Sequence, residues 1–214
     1  MNKRKGNKSV LLALSFVLLG LGSYGQTDLR DEVSFGLKAG INNSNVWDER
    51  DESFEADFKN GLAVGGFLHL PLNEYIGFQP ELMYSQKGFE GSGTFLGQRY
   101  SYTLTSNHLD VPILFVVKPA PSISIVAGPQ YSYLLSERST FNSQFYSEEE
   151  FNEYEANDIR KNRFGVNVGF DININQFVIS PRASWDLHEN HSDGTSSTPR
   201  YKNEFYQLTV GFRF

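Results

Sequence analysis

The chain has 214 residues, with 19 Lys+Arg against 25 Asp+Glu, a formal net charge of −6, and no cysteine. The acidic balance argues against a phosphate-binding surface, so no nucleic-acid partner is expected. The missing cysteines exclude disulfides and thiolate metal sites, and no residue pattern calls for a cofactor.

Residues 1–25 read as a secretory signal. Lys3, Arg4, Lys5 and Lys8 form a basic segment, Val10 to Leu21 an apolar one, and Ser23 and Gly25 are small residues at positions −3 and −1 of a cut before Gln26. The apolar run is shorter than the roughly 20 residues of a spanning helix, so cleavage is expected. Cleavage removes four basic and no acidic residues, taking the net charge from −6 to −10 and leaving 26–214 as one domain. Nothing later approaches an unbroken apolar stretch of 18 residues, yet a β-barrel stays possible because only alternate strand residues need face lipid.

Eight strand-like segments follow in order. From Glu32 to Asn42, Val33, Phe35, Leu37, Ala39 and Ile41 alternate with Ser34, Gly36, Lys38 and Gly40. Gly61 to Leu72 carries Leu62, Val64, Leu68 and Leu70 on one parity, and Tyr75 to Lys87 carries Ile76, Phe78, Leu82 and Tyr84. Between Gln98 and Lys118 the apolar parity changes, from Tyr100, Tyr102 and Leu104 to Leu109, Val111, Ile113, Phe115 and Val117. That change predicts a bulge between Thr105 and His108. Ser122 to Leu135, Arg163 to Ile174, Gln176 to His188 and the closing Tyr206 to Phe214 repeat the alternation.

Connections at Asn73-Glu74, Pro119 to Pro121 and Asn175 are short. Those over 43–60, 88–97, 136–162 and 189–200 are long and polar, two of them crowded with Asp and Glu. This regular exchange of short and long connections predicts an all-β, eight-stranded antiparallel up-and-down transmembrane barrel in an outer membrane, with both termini on the periplasmic side. Partners expected on that reading are outer-membrane lipid and lipopolysaccharide, the barrel-assembly machinery and a protein met by the external loops, with the barrel itself a monomer. A soluble lipocalin-like barrel inverts the pattern, apolar inside and polar outside. Six strand glycines on the polar parity, Gly36, Gly40, Gly65, Gly128, Gly165 and Gly169, favour a crowded interior instead.

Facing the apolar parity to lipid turns Lys38, His69, Glu81, Lys87, Asp110, Lys118, Asp171, Arg182, Asp186 and Arg213 inward. An eight-stranded interior is just wide enough for side chains, so these charges are expected to plug it as a structural ion network. His69 reads as a neutral member rather than a metal ligand. Tyr75, Phe78, Tyr84, Tyr131, Tyr133, Phe177 and Trp185 suit interfacial girdles.

Three motifs in order, Phe35-Gly36-Leu37-Lys38-Ala39-Gly40-Ile41-Asn42, His108-Leu109-Asp110-Val111-Pro112-Ile113-Leu114 and Ala127-Gly128-Pro129-Gln130-Tyr131, resemble the PorT-like outer-membrane β-barrel proteins of Bacteroidetes. The resemblance covers about the whole segment after Gln26. It implies the barrel and an envelope setting, with protein secretion as one family association, and it assigns no activity. The terminal Phe214 resembles the aromatic C-terminal signal read by barrel-assembly machinery.

Enzymatic and channel readings have weaker support. His188-Glu189-Asn190-His191-Ser192-Asp193 offers nucleophile, base and carboxylate types, but neighbouring positions in a polar loop seldom orient them, so no catalytic residue is expected. The acidic run Asp48-Glu49-Arg50-Asp51-Glu52 lacks the spacing and glycine of a calcium loop, and no metal site is expected. A lumen full of side chains disfavours open diffusion. The alternation makes one behaviour testable: purified protein should migrate differently on a gel before and after boiling in detergent. Solubility without detergent would defeat the barrel.

Overall fold

The computed structural model describes residues 32–47, 56–95, 98–143, 147–152, 160–189 and 202–214. Signal residues 1–25, the acidic run 48–52 and residues 190–193 of the histidine-containing run lie outside them. Nine strands are present among the described residues: β1 (Ser34–Trp47), β2 (Ala56–Pro71), β3 (Ile76–Phe95), β4 (Gln98–Ala120), β5 (Ile123–Ser143), β6 (Ser147–Asn152), β7 (Asn162–Ile174), β8 (Phe177–Asp186) and β9 (Lys202–Arg213).

Every pairing is antiparallel between neighbours in sequence, except that β7 joins β5 and β9 joins β1. β4 also pairs with β5, so eight strands close into a ring and β6 is appended to β5 outside it. The result is a closed eight-stranded antiparallel barrel. Closure leaves no sheet edge in the ring, which a lipid-embedded backbone requires.

Tight turns join the strands at one end, here called the turn end, where β1 begins and β9 finishes. At β2–β3, the Asn73 side-chain oxygen accepts from the backbone N–H groups of Tyr75 and Ile76 at 2.8 and 2.9 Å, closing the turn locally. At β7–β8, Asn175 takes φ 53°, a conformation asparagine tolerates.

At the opposite, loop end the structure corrects two expectations. Residues 88–95 and 136–143, read as loop, continue β3 and β5, and Ser147–Asn152 returns as β6. Glycine and serine obscured the alternation there, but cross-strand pairs such as Phe89↔Leu104 and Tyr102↔Phe141 hold the extensions together.

The bulge is displaced as well. Asn107 pairs with Ser136 and His108 with Leu134, so the register shifts where expected, but the extra residue is Leu135 on β5. β4 keeps its even positions inward from Leu104 to Lys118. Its apolar parity changes because the surroundings change. Leu109 to Val117 present an apolar outer face, while Ser101, Thr103, Thr105 and Asn107 present a polar one. Beyond the buried His108 and Ser106, from Leu104 on, the inside becomes apolar instead, with Leu104 packing on Val46 and Phe89 beside Tyr102.

An apolar outer belt encircles the ring, bounded by aromatics. Toward the turn end, Phe35 stacks on Phe214 at 5.2 Å and Phe177 meets Phe212 edge-on at 5.4 Å; toward the loop end, Phe58 meets Tyr206 and Tyr131 meets Phe164. From Tyr206 to Phe214 is eight steps, about 20 Å of height at the usual strand rise and tilt. That is close to the roughly 25 Å apolar band of an outer-membrane barrel.

The β1–β9 seam joins the first strand to the last and depends on Gly40, where a Cβ would lie 1.9 Å from the Leu208 carbonyl oxygen. Gly40→Ala should therefore lower the heat-modifiable fraction sharply. Gly66→Ala, whose nearest neighbour is 3.2 Å away, should leave most of it intact; equal behaviour of the two variants on gels would remove the seam argument.

Candidate functional site

The lumen is the one place where charge is concentrated among the described residues. Alternation alone turns Lys38 on β1, Glu81 and Lys87 on β3, Asp110 and Lys118 on β4, Asp171 on β7, Arg182 and Asp186 on β8 and Arg213 on β9 inward, and all are buried. His69 on β2 is inward too. Phe214 points outward at 59% exposure, in the aromatic belt.

Four of these residues meet in one node. Arg182 donates through Nη2 to Asp171 Oδ1 at 2.6 Å and lies 3.5 Å from Glu81 Oε1, while Lys38 Nζ donates to Glu81 Oε2. Gln79 spans the two acids, donating to Glu81 Oε1 at 2.9 Å and Asp171 Oδ2 at 3.1 Å, and the Ser180 hydroxyl adds 2.6 Å to Asp171 Oδ1. Each carboxylate therefore accepts from at least two donors, as two buried anions at such close quarters require.

A second pair lies nearer the loop end. Lys87 Nζ donates to Asp110 Oδ1 at 2.9 Å and sits over the Phe205 ring at 4.3 Å. The third carboxylate pairing involves a residue that the sequence reading passed over: Arg163 lies 3.7 Å from Asp186, whose other donor is Asn203 at 2.8 Å. Arg163 was legible on parity, since it precedes Phe164 at the start of its strand. His108, wholly buried, was likewise on the inward parity but was hidden by the misplaced bulge.

Amides and hydroxyls knit the layers between these charges. Asn167 donates to Gln130 and Ser184, Gln207 donates to Asn42, and Asn42 in turn donates to the Gln86 carbonyl oxygen. Along β4 and β5 the wall is apolar, with Leu114, Val116 and Val126 in contact. At the turn end, Lys118 Nζ donates to the Asn73 backbone oxygen at 2.8 Å and Arg213 Nη2 donates to Asn173 Oδ1 at 2.7 Å.

Chemically the arrangement is a network of ion pairs and hydrogen bonds within the lumen. Glu81 and Asp171 are each met by cations and amides, whereas Asp110 Oδ2 is buried without a partner, and among the described residues no nucleophile, base and orienting group form a chain within the network. His188, from the run weighed as catalytic, packs its ring 6.0 Å from Phe164 on the outer face.

Comparison with known proteins agrees with the architecture. The family model described as outer membrane protein beta-barrel domain matches residues 24–192. The chain belongs to that family, and so to the proteins of the Gram-negative outer membrane. No curated protein matches it. Among solved structures it is similar to Ail of Yersinia pestis (16% identity, 86% of this chain and 99% of that one, TM-score 0.46). It is also similar to the Neisserial surface protein NspA (8%, 84% and 97%, 0.48) and to OprG of Pseudomonas aeruginosa (13%, 86% and 97%, 0.42).

The node should be cooperative. Replacing Arg182 by Met leaves Asp171 and Glu81 short of a cation in a buried setting, and unfolding in urea from lipid vesicles should show a loss of about 3–5 kcal/mol. A loss below about 1 kcal/mol would show that the plug does not support the barrel.

Proposed function

We propose that the protein is a non-enzymatic surface-interaction barrel that presents a sheet beyond the bilayer while its lumen stays sealed. The observation that carries this is the inequality of the wall. β3, β4 and β5 have 20, 23 and 21 residues, whereas β7, β8 and β9 have 13, 10 and 12. A strand crosses the membrane in about 9–11 residues, so β8 has almost none to spare and β4 about a dozen.

The surplus lies wholly at the loop end, because the turn end is levelled by tight connections. With the turn end in the periplasm and residues 1–25 cleaved as a signal, the surplus stands outside the cell as a sheet of β3, β4, β5 and β6. Its outer face on β4 is polar, and its inner face packs Leu104, Val46 and Phe89, which gives the projection a small core of its own. Lipid and lipopolysaccharide then contact the aromatic belts, Phe214 serves assembly, and a protein partner meets the projecting sheet. The three PorT-like motifs support an envelope setting.

Two measurements bear on this reading. Reconstituted protein in planar bilayers should show no stable ohmic steps, and regular steps would overturn the sealed lumen. A variant lacking residues 136–162 should remain heat-modifiable but lose the cross-linked complexes that intact cells give with the full chain. Undiminished cross-linking in that variant would overturn the role of the sheet.

A further inference from the structure

Prolines stand inside four ring strands, where each lacks the N–H that a ladder needs. Pro80 on β3, Pro112 on β4, Pro129 on β5 and Pro181 on β8 each coincide with a break in the pairing. β2 and β3 pass from Phe67↔Glu81 to Leu70↔Phe78, skipping Leu68 opposite Pro80. β3 and β4 pass from Pro80↔Ile113 to Met83↔Asp110, skipping Glu81 opposite Pro112. β4 and β5 pass from Pro112↔Gln130 to Phe115↔Ala127, skipping Ile113 opposite Pro129. The backbone oxygens of Leu68, Glu81 and Ile113 thus lie opposite residues that have no hydrogen to give them.

On β8 the gap is filled. β7 and β8 pass from Gly169↔Arg182 to Ile172↔Ile179, and Arg182 Nη1 donates at 2.7 Å to the Phe170 oxygen opposite Pro181. Among the described residues no side chain does the same for Leu68, Glu81 or Ile113. The three open gaps lie in neighbouring strands and meet at Pro112 and Ile113, so β4 is unlatched there from both neighbours. They fall inside the apolar belt, among the outward Phe78, Leu82, Ile113 and Phe115, where water does not stand in for the missing donors. The lining behind them is apolar as well, with Leu114 and Val116 of β4 packed on Val126 of β5. Between Asp110 and Lys118, β4 turns only Pro112, Leu114 and Val116 inward, so dispersion contacts rather than ion pairs hold this span.

We infer that the barrel opens sideways at β4 residues 111–114, which part from β3 and β5 and let lipid chains reach Leu114 and Val126. Local opening takes the path that breaks the fewest bonds, and here two ladder bonds are already absent on either side of one strand. It also brings only apolar groups against hydrocarbon. Parting β7 from β8, or β1 from β9, would instead turn Arg182 or Lys38 to lipid, which is costly. Glu81 lies beside the gap on β3, but its carboxylate is held by Lys38 of β1 and Arg182 of β8, so β3 stays in place and β4 is the strand that moves. The opening is lateral and leaves the ion network whole, so it does not join the two mouths of the lumen. It uses no residue of the projecting sheet and stands or falls separately from the surface-interaction reading.

The test uses the full chain in nanodiscs in which a small fraction of the phosphatidylcholine carries a diazirine in mid-chain. Adducts formed on irradiation are mapped by mass spectrometry. A wall that stays shut gives adducts on outward residues such as Phe78 and Phe115, whereas opening is expected to add them at the inward Leu114 or Val126, with the inward Val178 of β8 unlabelled. Pro112→Ala combined with Pro129→Ala returns both N–H groups and is expected to lower the inward adducts about tenfold or more. Pro181→Ala, at the gap Arg182 already fills, is expected to leave them unchanged. Gel heat-modifiability checks that each variant is folded; should the double variant not be, Pro129→Ala alone, at an exposed outward position, takes its place and is expected to lower them in the same direction. No inward adduct on β4 or β5, equal labelling of Val178, inward labelling undiminished in the folded β4/β5 proline variant, or an equal fall in Pro181→Ala overturns the lateral opening.

Discussion

The β1–β9 seam is the constraint on which everything else in this barrel depends. Hydrocarbon offers no partner to a backbone N–H or C=O, so a sheet placed in it must meet its own first strand. Here the meeting runs from Gly36↔Arg213 to Trp47↔Lys202, almost the whole of both strands. Once it is made, the inward or outward direction of every side chain follows from the two-residue period, because a slip of one position would turn Lys38 to lipid and Leu37 to the lumen. Glycine at positions 36 and 40 lets the two backbones approach, and Gly36 and Gly211 also make room for the Phe67 ring between them.

Closure at eight strands then dictates what the interior must contain. The bore is narrow enough to be filled by side chains and too polar, on this chain's alternation, to be filled by hydrocarbon alone. The solution is two-sided. The β4 and β5 wall contributes Leu114, Val116 and Val126, while β1, β3, β7 and β8 contribute the node around Arg182. Gln79 is central to that node, because a carboxamide can donate to two acids at once while its oxygen remains available to His69. A network in which each acid has several donors holds one geometry, whereas an apolar filling of the same volume would tolerate several.

Much of this was legible because strand alternation is the strongest signal a membrane barrel leaves. All eight ring strands and the inward set from Lys38 to Arg213 follow from counting by two. What escaped notice lies where the environment changes along a strand. On β4 the switch from Tyr102 and Leu104 to Leu109 and Val111 looks like a bulge when only apolarity is counted. In space it marks the strand crossing from bilayer to water, where the apolar side becomes the inner one. That misreading also hid His108. The actual extra residue, Leu135, is apolar between Leu134 and Ser136 and leaves no break in composition. Pairings themselves, such as Arg163 with Asp186 across β7 and β8, needed coordinates: parity gives the face and the turn fixes neighbours, but only register says which charges share a level.

The same inversion explains why one wall can be so much taller than the other. Inside the bilayer, the apolar face must be outward, and the polar face is tolerated only because opposing strands enclose it. Above the bilayer, the outward face meets water, so Ser101, Thr103, Thr105 and Asn107 are suited to it, and the inner face needs burial. Val46, Phe89, Leu104 and Tyr102 supply that burial from β1, β3 and β4 alone. A local core of this kind lets β3, β4 and β5 continue as a sheet without matching extensions on β7, β8 and β9. The tall wall is therefore a second packing unit continuous with the barrel, governed by soluble-sheet rules.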